Sequence, residues 1–312
     1  MKLKKLVSTV GMSHEEWLSY RKKGIGGSDA GAICGLNPYK SAVAVYLEKT
    51  SVVSEQEDNE AMRQGRDLEH YVAQRFMEET GKKVRKANAI FVHPEHPHIF
   101  ANVDRLVVGE DAGLECKTAS AFAYEKWQDG KIPPSYEIQC HHYMAVTGAK
   151  AWYIACLILG KGFVWQKIER DEEVIQMLLE LEDTFWKENV LAEKMPLPDG
   201  TIAADEIIQE RYSESMPDKR IELLGFDEKL ERRKEIGVLE EKLKKEKKQI
   251  EQEIKVYMDD AERAESNLFS VSWKKVESNR IDSERLKKEY PDVYQKCLKS
   301  SSSRRFVVKE IA

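Results

Sequence analysis

The chain has 312 residues, 41% hydrophobic and 34% charged, with a formal net charge of −5. That is a globular composition, long enough for one large domain plus an appendage. The acidic balance argues against a globally basic nucleic-acid binder while leaving room for a local basic surface.

Five cysteines, scattered without a CxxC pair, argue against a zinc or iron–sulfur centre and read as reduced thiols of a cytoplasmic protein. The basic start "MKLKKLVSTVGMS" lacks the apolar segment of a signal peptide. No run approaches the roughly 18 apolar residues of a membrane span.

In chain order, "SHEEWLSYRKKG" predicts a helix, with Ser13 and Glu16 in a capping-box pattern and Gly24 as its stop. In "GIGGSDAGAICG" the glycines make a flexible approach, and Ser28 or Asp29 is expected to N-cap a short apolar helix. "SAVAVYLEKT" reads as a further helix and residues 51–60 as an acidic loop. In "EAMRQGRDLEHYVAQRFMEETG" Met62, Leu68, Val72, Phe76 and Met77 recur at helical spacing before Gly81.

Three strand-like runs follow: "KVRKANAIFV", "HIFANVDRLVV" and "AGLECKT". "SYEIQCHHYMAVTG" is helical, "AWYIACLIL" and "GFVWQKIE" form a hairpin, and "DEEVIQMLLELEDTFWKENV" is an amphipathic helix. The order predicts an α/β (α+β) fold, a mixed central sheet flanked by helices. Trp17, Trp152, Tyr153 and Trp165 are expected in the core. The prolines of "HPEHPH" at 93–98 read as a loop rather than a metal site. His141 and His142 read as packed residues or DNA contacts.

"MPLPDG" marks the end of a first domain at 1–195, followed by a connecting segment at 196–226. Over 227–265, Ile236, Leu243, Ile250 and Tyr257 repeat every seven residues among Glu, Lys and Arg, with Leu239 and Ile254 beside the seam. This predicts a long charged helical arm, coiled-coil-like or packed by a narrow stripe. Residues 266–312 read as a small basic α/β end-piece.

The chemistry concentrates in "NVDRLVVGEDAGLECKT". Alternate side chains of a strand share a face, so Glu115 and Lys117 point together and Cys116 points into the opposite layer. If the two runs pair, Asp104 comes opposite or diagonal to Glu115. Converging buried carboxylates are costly unless a cation joins them, and oxygen ligands with open positions suit Mg²⁺ or Mn²⁺. Alone, this short pattern reads more readily as an edge hairpin whose charges face solvent. Glu69 on the preceding helix and Gln139 on the following one could complete the site or be ordinary surface residues.

Asp104, Glu115 and Lys117, following a helix that bears Glu69, resemble the PD-(D/E)xK nuclease superfamily, whose core order is αβββαβ. The ordered blocks "WLSYRKKGIGGSDAGAICGLNPYKS", "GRDLEHYVAQRF", "NVDRLV", "LECKT" and "YEIQCHHYMAVTGAKAWYIACLI" are similar to the YqaJ-like viral recombinase family, relatives of phage lambda exonuclease. The likeness spans about residues 14–190, and the tail from "VSWKKV" to "RRFVVK" also resembles that family.

The resemblance implies a restriction-endonuclease-like core in which Asp104 and Glu115 ligate Mg²⁺ (Mn²⁺ substituting), with the Cys116 backbone carbonyl as a third ligand. It implies Lys117 as the catalytic lysine, Glu69 completing the acidic cluster, and Gln139 supporting the lysine or the water. It implies that Arg21 and Ser28 grip a 5′-terminal phosphate. A helix N-terminus attracts anions and an arginine can hold phosphate bidentately, which is a physical reason for the same pair.

The implied activity is a 5′→3′ exonuclease on double-stranded DNA ends in phage or prophage recombination. It would leave a 3′ strand for a RecT- or Redβ-like annealing protein. A homo-oligomer, the trimer of the lambda enzyme, is implied only loosely, because the charged helix and basic tail have no counterpart there. Val103 stands where the family name has Pro, and no four-cysteine cluster exists for iron–sulfur binding. Two alternatives remain at this stage: a structure-selective endonuclease or nickase, and an inactive nuclease fold serving as a DNA-binding scaffold. Intact Asp104, Glu115 and Lys117 argue against the scaffold.

Overall fold

The computed structural model describes residues 1, 3–50, 59–299 and 302–310; most of the expected loop at 51–60 lies outside them. The chain divides into two units, Met1–Tyr212 and Ser213–Ala312.

The first unit opens with β1 (Lys5–Ser8), α1 (His14–Lys22), α2 (Gly27–Ile33), α3 (Ala42–Thr50) and α4 (Glu60–Thr80). The Ser13–Glu16 capping box forms at α1 as expected. Gly81 closes α4 in the left-handed conformation, at φ +70°.

Short strands follow: β2 (Val84–Lys86), β3 (Ala89–Val92), β4 (Phe100–Asn102), β5 (Arg105–Val107) and the longer β6 (Ala112–Ala119). The first two runs expected as single strands are each divided. Asn88, at φ +51°, turns the chain between β2 and β3, and Val103–Asp104 separates β4 from β5. The halves enter different sheets: one ordered β1-β3-β4 and one ordered β2-β5-β6-β7-β8.

A 3₁₀ turn at Ala121–Trp127 leads to α5 (Pro134–Thr147), then β7 (Ala151–Ile158) and β8 (Gly162–Glu169). β6 and β7 are parallel and the other pairs of the five-stranded sheet antiparallel, so the sheet is mixed. A parallel pair needs a crossover, and α5 supplies it. α6 (Glu172–Thr184) runs on into a π-helical stretch, Phe185–Leu191, and α7 (Ile202–Arg211) packs on α3.

The period-2 pattern sorts the core into two layers. On one face Val72 and Phe76 of α4 pack with Leu114, Tyr153 and Ala155. On the other, Cys140 and Met144 of α5 pack with Trp152, Ile154 and Cys156. Burying one such Leu or Phe contributes on the order of 2 kcal/mol, so the two helices fix where their polar residues meet the sheet. Gly113 is required by packing, since a Cβ there would lie 2.1 Å from the Trp152 ring.

In the second unit, α8 (Asp227–Met258) is one uninterrupted helix, followed by the β9 (Arg263–Glu265) and β10 (Ser270–Ser272) hairpin, α9 (Ser283–Glu289) and α10 (Pro291–Cys297). Ile236, Leu243, Ile250 and Tyr257 of α8 are all exposed. No helix among the described residues is long and apolar enough to cross a membrane.

Candidate active site

The site begins where a strand stops. β5 pairs with β6 through Arg105↔Leu114 and Leu106↔Gly113. At Asp104 the chain leaves the ladder, while β6 continues to Ala119 along β7. The Asp104 carboxylate takes over from the missing strand, its Oδ2 accepting the Cys116 N–H at 2.8 Å. N–H and C=O of one strand residue point to the same side, so the Cys116 carbonyl faces this open edge too. Its thiol joins the α4 layer, as the alternation required.

Glu115 and Lys117 face α5. Glu115 is 3% exposed. Its Oε1 lies 2.7 Å from Lys117 Nζ and accepts from Gln139 Nε2 at 2.7 Å. Its Oε2 is shielded from solvent and has no hydrogen-bond partner among the described residues. Gln139 also accepts from Lys117 at 3.0 Å and donates to the Tyr143 hydroxyl at 2.7 Å, and the Lys117 ammonium sits 4.6 Å from the centre of the Tyr136 ring. Glu69 reaches the edge from α4 and is paired with Arg105, whose guanidinium also donates to the Asp104 carbonyl at 2.8 Å.

The electrostatics follow from this crowding. Burial, then Glu115 and Glu69, push the Asp104 carboxyl well above the ordinary aspartate range, against the Cys116 N–H and Lys117. Burial opposes the Lys117 charge, yet Glu115 and Tyr136 keep the ammonium more firmly protonated than an ordinary lysine. An orphaned buried carboxylate oxygen beside two further carboxylates is costly. A hard divalent cation would offset that cost, and Asp104, Glu115 and the Cys116 carbonyl offer the oxygen donors such an ion takes, while Glu69 is turned to Arg105.

A cleft of about 200 Å³ adjoins these groups, with Asp104, Glu115 and Gln139 at one part of its wall and Trp17, Arg21 and Ser28 at another. Ser28 is not the cap of its helix. Gly26 is, and Asp29 at the third helical position accepts the Gly26 N–H at 3.1 Å. The placement follows from close packing: a Cβ at Gly24 would lie 2.5 Å from the His98 carbonyl oxygen, and one at Gly27 2.5 Å from the Tyr143 ring. Arg21 donates to the Ser28 hydroxyl at 3.3 Å and to Asp29 at 3.0 Å.

Asp29 is fully buried and also binds Lys40 at 2.8 Å and Lys49 at 2.7 Å. Burial alone would raise its carboxyl, but Lys40, Lys49 and Arg21 hold it well below the usual range. Arg21 is thus anchored in the cleft wall, its pKa raised chiefly by Asp29. Sequence reasoning missed Asp29's three cations, Arg105, Tyr136 and Tyr143. An aspartate inside a Gly/Ala-rich helix start was the available signal for the first.

His142 and Glu182, both fully buried, pair at 2.7 Å. His142 is therefore a packed residue rather than a DNA contact. Trp152 and Tyr153 are buried as expected, whereas Trp165, against the α4 layer, and Trp17 are only half-buried.

Residues 16–150 match the family model described as the YqaJ-like viral recombinase domain. The chain is 44% identical over 307 residues to the uncharacterized protein YqaJ of Bacillus subtilis, covering 96% of each chain. Among solved structures, it is similar to the alkaline exonuclease LHK-Exo of Laribacter hongkongensis, with 24% identity, 58% of this chain and 94% of that chain covered, and a TM-score of 0.49. The complex of that enzyme with dAMP gives the same coverage and identity at a TM-score of 0.50, a likeness of fold.

Proposed function

The chain belongs to the YqaJ-like viral recombinase family, and on that premise we propose that it is a Mg²⁺-dependent 5′→3′ exonuclease of double-stranded DNA ends. The observation that carries this reading is that Asp104, Glu115 and Gln139, the last two holding Lys117, line one cleft with the Arg21–Ser28 pair.

Asp104, Glu115 and the Cys116 carbonyl would hold the ion, with Mn²⁺ able to replace Mg²⁺ and Glu69 completing the acidic cluster. When bound, it supplies Lewis acidity toward a phosphodiester oxygen and lowers the pKa of a water. The protein's own side chains do the rest. Glu115 and Gln139 fix the Lys117 ammonium from two sides, so it can orient an attacking water and offset negative charge growing on the phosphoryl oxygens. In the ion-free site burial opposes the Lys117 charge, but Glu115 and Tyr136 raise its pKa and favour the ammonium. Arg21 and Ser28 together offer a guanidinium and a hydroxyl to a terminal phosphate, which favours a chain end over the interior of a duplex. The 3′ strand left behind would be passed to a RecT- or Redβ-like annealing protein.

The test is digestion of end-labelled linear duplex with and without a 5′-phosphate. Mg²⁺-dependent release of nucleotides from the 5′ end, faster on the phosphorylated substrate, is expected, with closed circles resisting. Undiminished activity in Lys117→Ala and Asp104→Ala would overturn the assignment of the site.

A further inference from the structure

The loop spelled "HPEHPH" meets α6 away from the acid–lysine group. His96 Nδ1 lies 2.9 Å from Asp183 Oδ1, and His98 Nε2 lies 2.8 Å from the same oxygen. Two imidazoles and a carboxylate from separate segments therefore converge on one point. We propose that His96, His98 and Asp183 form a second cation site, for a zinc-type divalent ion, which ties this loop to α6.

A simple hydrogen-bonded clasp leaves one fact unaccounted for. His98 Nε2 is shielded from solvent and, despite the 2.8 Å approach, makes no hydrogen bond of acceptable geometry with any described residue. A buried ring nitrogen set beside a carboxylate oxygen, without an N–H directed at it, is unfavourable. A cation ligated by both atoms relieves it.

The groups around the cluster hold it in a ligating arrangement. Lys187 contacts the other carboxylate oxygen of Asp183 at 3.1 Å, leaving Oδ1 to the histidines. The His98 ring stacks on Trp186, with centroids 5.4 Å apart and planes 8° from parallel. His93 Nδ1 accepts the backbone N–H groups of Glu95 and His96 at 3.2 and 3.1 Å, fixing the turn. Such outer partners orient metal ligands.

Donor chemistry selects the ion. Two imidazoles and one carboxylate suit Zn²⁺, with Co²⁺ or Ni²⁺ as substitutes, and suit Mg²⁺ poorly. Three protein donors leave a further position for water. The role follows from what the loop touches: the His98 carbonyl accepts the Ile25 N–H at 2.7 Å, and that same oxygen is what crowds Gly24, part of the cleft wall. An ion here would brace the segment carrying Arg21 and Ser28 without touching the reacting phosphate.

The experiment is titration of the full-length, metal-free protein with Zn²⁺ against a chromogenic chelator, in millimolar Mg²⁺ so that the Asp104–Glu115 group does not compete. The expected result is a tight Zn²⁺ equivalent that persists in Asp104→Asn. It should weaken at least about 100-fold in His98→Gln and Asp183→Asn, and about tenfold in Lys187→Met. Lys187 is exposed, so that last variant keeps the fold whatever the others do. Zn²⁺ should raise the melting temperature of the wild-type chain and not that of His98→Gln. Co²⁺ should give a visible band without thiolate charge transfer. Absence of Zn²⁺ binding in Mg²⁺, equal affinity in Lys187→Met and the ligand variants as in wild type, or a cobalt–thiolate band assigning the ion to cysteine would each overturn the proposal.

Discussion

Gln139 donates to Glu115 at 2.7 Å across the gap between α5 and β6, and the same amide receives Lys117 on its oxygen. One neutral side chain therefore sets both the carboxylate and the ammonium of the site. Gln139→Leu removes both contacts at similar volume. We expect nuclease turnover to fall roughly ten- to a hundredfold, with a smaller change in KM, measured by initial rates on phosphorylated linear duplex. An unchanged rate would show that Lys117 needs no such support.

Asp104 should reveal its strain in metal-free protein. Its folded pKa is raised, first by burial and then by Glu115 and Glu69. The native state therefore binds the proton more tightly than the unfolded chain does, and stability falls as pH rises from the unfolded value through the folded one. With chelator present, Asp104→Asn should melt higher than wild type at neutral pH, and the gap should close below the unfolded pKa. Added Mg²⁺ should stabilise the wild type and not the variant. Thermal melts across pH, with and without Mg²⁺, check both.

Asp29 carries the opposite sign. Its folded pKa is depressed by Lys40, Lys49 and Arg21, which outweigh its burial, so its stabilisation is present above the unfolded pKa and fades as pH falls toward the folded one. Asp29→Asn leaves three cations around a neutral amide and should cost about 3 kcal/mol. Urea denaturation at neutral pH measures the loss, which should shrink in acid.

On the proposed function, Ser28→Ala should act chiefly on the substrate end, with the weak contact from Arg21 lost as well. Loss of one hydroxyl donor to a charged phosphate is worth about 1.5–3 kcal/mol, so the preference for a 5′-phosphate over a 5′-hydroxyl should drop about tenfold or more. Arg21→Gln should abolish that preference and also lower stability through Asp29. Paired rate measurements on the two substrates separate the effects.

Gly27→Ala connects packing with chemistry. The added Cβ would meet the Tyr143 ring at 2.5 Å, and the Tyr143 hydroxyl is a partner of Gln139. Overpacking of this kind costs about 1–3 kcal/mol. Turnover should fall alongside the melting temperature, whereas Gly113→Ala, crowding Trp152, should lower stability with less effect on the rate of surviving protein.

What could be read beforehand depended on local rules. The two-residue period placed Glu115 and Lys117 on one face and Cys116 on the other, because alternation is a property of the strand itself. Helix ends at Ser13 and Gly81 were legible for the same reason. The position of Ser28 was not, since close contacts of Gly24 and Gly27 with β4, α5 and the His98 carbonyl decide where α2 begins. Nor was the division of two strand runs at Asn88 and Asp104, which reflects two sheets competing for one apolar stretch. The pairing of Glu69 with Arg105, and of Asp29 with Lys49, joins residues distant in sequence that no spacing rule connects.

The late start of β5, one residue after Asp104, has one more consequence. Because the Cys116 amide is held by a carboxylate rather than by a backbone carbonyl, its hydrogen-exchange rate reports on Asp104 directly. Protonation, substitution or capture of that carboxylate by an ion would each alter how long this single amide keeps its proton. A nitrogen in the middle of a buried strand thus serves as a built-in gauge of the site's state, readable by NMR in protein that is not turning over.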